Sequence, residues 1–118
     1  MPFVDLHCDT ISLLLAKRRE GLSAHLRSGE GLEVDGEKLR RSGYLLQTFA
    51  LFVDLEKTDD PWAEVQALAQ VYREEMEENR DLFRPVRTAA DLNLARQEQK
   101  IAALLSVEEG GVCCGDLK

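Results

Sequence analysis

An α/β fold with parallel strands is predicted by three features of the 118-residue sequence. Two runs, YLLQTFALFVD at 44–54 and IAALLSV at 101–107, are apolar on both faces, the pattern of strands covered from both sides. Between them lies the clearest amphipathic segment, PWAEVQALAQVYREEMEEN at 61–79. Its Trp62, Val65, Leu68, Ala69, Tyr72 and Met76 recur at three- and four-residue steps. The resulting order of strand, helices, strand, helices, strand is that of parallel crossover connections. About three parallel strands with connecting helices leave open sheet edges, which points to the N-terminal portion of a larger (β/α)8, TIM-type barrel. The chain reads as one partial barrel domain over 1–118, truncated relative to a complete barrel.

Each element has a local reason. FVDLH at 3–7 alternates apolar and polar residues with the period of a strand. Thr10 is placed to cap a helix over ISLLLAKRRE at 11–20, which has basic residues in its last turn and stops at Gly21. GLSAHLRSGEGLEVDG at 21–36 is rich in Gly and Ser and reads as loop. Asp35 caps a short helix, GEKLRR at 36–41, ended by Gly43. The strand over 44–54 carries Gln47 as an interior amide, read as satisfied by backbone in preference to a partner of the functional site. After the turn EKTDDP, Asp60 caps the long helix and Pro61 occupies its first position. Trp62 and Tyr72, on the apolar stripe, are assigned to the core, and the acidic stretch REEMEENRD to a solvated helix end. LFRPVR at 82–87 is extended or loop, because Pro85 restrains the residue before it. Thr88 with Asp91 forms a capping-box-like start to a helix over AADLNLARQEQ at 89–99. The IAALLSV strand then ends abruptly in EEGG.

The composition narrows the function. A net charge of −7 argues against nucleic acid or an anionic membrane as partner. No apolar stretch approaches the roughly 18 residues of a membrane span, and the N-terminus does not have the pattern of a signal peptide. Three cysteines, two of them adjacent in GVCCGD, make a poor disulfide framework and point to a reducing cytoplasm. No Cys-x-x-Cys or His-x-x-x-His spacing encodes a structural zinc finger.

The chemistry is concentrated at two strand ends. On a strand, residues two apart share a face, so His7 and Asp9 look the same way, about 7 Å apart, and Cys8 looks the other way with Val4 and Leu6. Taken alone, this His-x-Asp is most simply a solvated carboxylate beside a hydrogen-bonded histidine. Glu108 and Glu109 close the 101–107 strand, and strand C-terminal ends gather at one rim in parallel α/β folds. Alone, Glu108 is more simply a strand-end carboxylate that caps backbone N–H groups in the following turn; with His7 and Asp9 at an equivalent rim position, the metal reading is the better one. One imidazole and two carboxylates converging at a rim make a hard, oxygen-rich site suited to zinc or manganese. Cys8 is a poor nucleophile candidate, since it faces away and no second histidine is placed to activate it. Cys113 and Cys114 read as local features of the glycine turn.

Four blocks, VDLHCDT, LRRSGYLLQTFALFV, VRTAADL and IAALLSVEEGG, resemble in order and spacing the renal-dipeptidase-like family, also called membrane dipeptidases. The resemblance covers essentially the whole chain. It implies the N-terminal portion of a (β/α)8-barrel metallopeptidase with a two-metal centre, commonly zinc, that hydrolyses dipeptides. It implies that His7 and Asp9 bind one metal, that Glu108 bridges both, and that Asp9 and Glu108 are the catalytic carboxylates. The doubled EE leaves Glu109 as a rival; ungapped placement of SVE and strand alternation favour Glu108.

The family's second metal takes two further histidines from later strands, whereas this sequence contains only His7 and His25. The expectation is a fragment nearly inactive by itself, its open edges favouring homo-oligomers or aggregation. The rival readings are a non-catalytic partial barrel binding at most one metal, and another metal-dependent barrel hydrolase with a paired-His motif. Asp9 stands where that motif requires histidine.

Overall fold

The computed structural model describes residues 2–116. Their elements run β1 (Phe3–Asp5), α1 (Thr10–Arg19), α2 (Gly36–Arg41), β2 (Tyr44–Leu51), α3 (Pro61–Glu78), β3 (Phe83–Val86), α4 (Ala89–Gln97) and β4 (Ile101–Val107), followed by a 3-10 turn over Gly110–Cys113. The strands form one parallel sheet in the order β1-β2-β4-β3. The parallel α/β architecture is the one expected from the sequence, with four strands where about three were expected. The fourth, β3, falls in the segment read as extended or loop. Its Pro85 has no N–H to give a ladder, and β3 is accordingly an edge strand, paired only with β4.

The helix starts follow from side-chain capping. Asp35 accepts from Lys38 N at 2.8 Å and Asp60 from Ala63 N at 2.9 Å, each taking up a backbone donor that has no partner within its helix. Thr88 and Asp91 make a reciprocal capping box at α4. At α1 the cap position is Asp9, and Thr10 is already helical; Asp9 makes no side-chain capping bond.

Alternation along the strands separates two apolar layers. Ile101 and Ala103 of β4, with Phe49 and Leu51 of β2 and Phe83 of β3, pack against Ile11 and Leu14 of α1 and Val65, Leu68, Tyr72 and Met76 of α3. Phe49 lies edge-on to Phe83, with ring centroids 5.8 Å apart. On the opposite face, Ala102, Leu104, Leu46 and Val86 meet Leu92 and Ala95 of α4. The change of side at α4 follows from strand order. The connection from β2 to β3 passes beyond β4, and the one from β3 to β4 steps back, so two right-handed crossovers lie on opposite faces.

Two expectations are corrected in the helices. Trp62 is 55% exposed at the first turn of α3, so the apolar stripe begins effectively at Val65. In the acidic stretch, Glu75 is fully buried and Asn79 nearly so. The turn of α3 expected to be solvated therefore lies against the 21–35 segment.

Candidate metal centre

Strand β1 ends at Asp5, opposite Gln47, before it reaches the residues of interest. Ladder bonding resumes at Cys8, whose N–H donates to Thr48 O and whose carbonyl accepts from Ala50 N, both at 3.0 Å. Those two bonds place Cys8 beside Phe49. From Asp5 to Cys8 is three residues, and from Gln47 to Phe49 is two. One extra residue is thus accommodated on the β1 side, a local bulge of the kind that re-aims side chains. Cys8 is buried in the layer beneath α1, while Val4 and Leu6 are exposed, so the three do not share a face as strict alternation predicts. His7 and Asp9, flanking Cys8, project to the sheet's other side.

There they meet Glu108. His7 Nε2 lies 3.4 Å from both carboxylate oxygens of Asp9 and 3.6 Å from Glu108 Oε2. One ligand atom from each of the three residues lies within 4.8 Å of the others. Glu108 is held by its backbone, its N–H donating to Leu51 O at 3.1 Å as the β4 ladder ends. The carboxylate of Glu109 accepts from Gly111 N at 2.7 Å and caps the 3-10 turn. The capping role considered for Glu108 belongs to its neighbour, and the converging carboxylate is Glu108.

The donor set fits a divalent metal. Ligand bonds of about 2.1 Å in tetrahedral geometry put neighbouring ligand atoms about 3.4 Å apart, close to the 3.4 and 3.6 Å that separate His7 Nε2 from Asp9 and Glu108. Neither carboxylate is paired with a lysine or arginine among the described residues, so no protein cation already occupies the place. All three side chains are about half exposed, which leaves room for further ligands. A cleft of about 390 Å³ opens beside His7 and Asp9, lined also by Thr10, Leu13, Glu33 and Val34, and Glu108 is not part of its lining.

Comparison with known proteins then decides the family. The family model for membrane dipeptidases, peptidase family M19, matches residues 1–117. The chain belongs to this family. The crystal structure of dipeptidase AC, a metallopeptidase of family M19, has the same fold, with a TM-score of 0.81 at 19% identity. The match covers 95% of this chain and 36% of that one. No curated protein sequence matches.

Within this M19 chain the remaining polar groups fall into place. Burial raises the Cys8 thiol above its ordinary pKa, an effect that outweighs its hydrogen bonds with Thr10, so it stays protonated at neutral pH. Gln47 does more than satisfy backbone. Its Nε2 donates to Thr48 O and to Asp5 Oδ2, both at 3.1 Å, while its Oε1 has no partner. A buried unpartnered amide oxygen costs about 1–3 kcal/mol.

A second cluster had no signal in sequence spacing. His25 Nδ1 lies 3.4 Å from Glu78 and 3.7 Å from Glu75. Here the carboxylate of Glu75 is already taken. It pairs with the Arg18 guanidinium and accepts from Leu26 N at 2.7 Å and Asn79 Nδ2 at 3.1 Å.

Proposed function

We propose that the chain carries the first part of a zinc-dependent dipeptidase site, with His7, Asp9 and Glu108 as metal ligands. The observation that supports this most directly is the spacing of three ligand atoms around a place that no cation among the described residues fills. When bound, a divalent cation there supplies Lewis acidity and makes water nucleophilic near neutral pH. His7 offers the lone pair of Nε2, which requires a neutral imidazole. Asp9, as N-cap of α1 without a capping bond, keeps its oxygens for the cation and for orienting or deprotonating a water. Glu108 has a second oxygen with which to reach another cation, the bridging role its family resemblance implies. The cleft beside His7 and Asp9 is the place we assign to a dipeptide.

The chain's only other histidine, His25, belongs to the second cluster and is no ligand here. One metal without a second gives no clamp on both the attacking and departing atoms. The 118-residue partial barrel is therefore proposed to bind one zinc and to be nearly inactive by itself, with association through its sheet edges into a homo-oligomer. A cytoplasmic location agrees with its free cysteines; no described helix is long and apolar enough to cross a membrane. The test is dipeptide hydrolysis with added zinc, run beside calorimetric zinc titration of the chain and of His7→Ala. Zinc binding that His7→Ala abolishes, with turnover at background in both, is the expected result. Absence of zinc binding by the unaltered chain removes the metal reading. Turnover that depends on His7 overturns the inactivity and means that association supplies the missing ligands.

A further inference from the structure

The imidazole of His7 is half exposed, yet the backbone carrying it is fixed from several sides. Asp5 Oδ1 accepts from His7 N at 3.2 Å, a turn in which an aspartate side chain bonds the backbone two residues on. The other oxygen of the same carboxylate accepts from Gln47 Nε2 at 3.1 Å. Gln47 is fully buried in β2, and its Nε2 also donates to Thr48 O, the carbonyl that accepts from Cys8 N. Asp5 and Gln47 thus grip the extra residue of the β1 bulge before His7, and Thr48 holds it just after.

We propose that Asp5, itself oriented by the buried Gln47, is the positioning residue for His7. It fixes the backbone turn that aims Nε2 at Asp9 and Glu108. The unpartnered Gln47 Oε1 supports this reading. An apolar residue would fill a buried strand position without an orphaned oxygen but would offer Asp5 no donor, whereas the amide of Gln47 does. A solvated carboxylate at the end of a three-residue strand would leave His7 free to swing. Tied to the strand interior, it makes the ligand part of the sheet.

The inference rests on the metal reading of His7, and its test separates the two. Zinc affinity and the hydrogen exchange of the His7 backbone amide without metal are measured for the chain, Asp5→Ala, Asp5→Asn and Gln47→Leu. Asp5→Ala removes the acceptor. We expect its His7 amide to exchange at least tenfold faster and its zinc affinity to fall about tenfold, as when a metal ligand's outer partner is removed. Asp5→Asn keeps an acceptor for His7 N and gives up at most part of the Gln47 bonding, so it should stay within about threefold of the parent. Gln47→Leu should fall between Asp5→Asn and Asp5→Ala. Zinc binding as weak in Asp5→Asn as in Asp5→Ala would show that charge acts rather than geometry, and overturns the proposal. So does an unchanged His7 amide in Asp5→Ala. If the unaltered chain binds no zinc, the metal reading fails while the amide comparison still decides whether Asp5 positions His7.

Discussion

Two clusters in this molecule have the same composition, one histidine and two carboxylates within 4.8 Å, and opposite character. At the strand ends, Asp9 and Glu108 approach His7 with no arginine, lysine or buried amide among the described residues competing for their oxygens. Between α1 and α3, Glu75 approaches His25 with its lone pairs already engaged by Arg18, Leu26 N and Asn79. The first set has free valence for an ion. The second already has its cation, supplied by α1, and ties three parts of the chain together. Residue types alone do not separate a ligand set from an ion-pair network; the occupancy of the carboxylate oxygens does.

The largest expected effect tests the second cluster as a structural tie. Glu75→Ala leaves the Leu26 N–H without its acceptor and Arg18 with Glu74 as its remaining carboxylate partner, and breaking a buried pair by removing one partner costs about 3–5 kcal/mol. Urea unfolding should show that loss, with zinc affinity unchanged within about twofold. A loss below about 1 kcal/mol would reduce the network to surface decoration and erase the contrast.

A second test uses pH on the same helix. Burial pushes the Tyr72 hydroxyl up to about 12 from its ordinary 10, while it donates to Ala103 O at 3.1 Å. A pKa raised on folding contributes stability that is complete below pH 10 and lost as pH rises toward 12. Two units correspond to about 2.7 kcal/mol. Unfolding measured from pH 9 to 12 should show that decline, and Tyr72→Phe should flatten it. A decline that persists in the variant would assign it to other groups.

The smallest effect is the sharpest on the comparison itself. His7→Ala and His25→Ala each remove an exposed imidazole and should change stability by less than about 0.5 kcal/mol. Zinc should raise the melting temperature of the unaltered chain and of His25→Ala, and should not raise that of His7→Ala. Equal zinc responses in the two variants would mean that the clusters do not differ as described.

Much of this was legible in the sequence wherever a local rule governs. Asp35, Asp60, Thr88 and Asp91 mark helix starts because capping depends on residues three apart, and β4 runs over the seven residues expected. The approach of His7 and Asp9 to Glu108 follows from parallel strands ending at one rim. The convergence does not come from strict alternation, because an extra residue interrupts β1. No local rule shows Glu75 to be buried, since its partner Arg18 is 57 residues away. Nor does one reveal that Pro85 permits a fourth strand at a sheet edge, or that Trp62 lies just beyond the reach of the core. The tie from Gln47 to Asp5 was open to sequence reasoning only as one of two fates for a buried amide.

The crossing of α4 to the other face has a consequence for traffic. The trio of His7, Asp9 and Glu108 projects from the same face of the sheet that α4 covers lower down, against Ala102 and Leu104. From Leu104 to Glu108 is four residues, about 13 Å of strand. Along β4, α4 is therefore a floor beneath the site, sealed by Leu92 and Ala95, and the open mouth lies at the strand C-terminal ends. A small molecule reaching Glu108 along β4 therefore comes from the strand C-terminal ends and not from below.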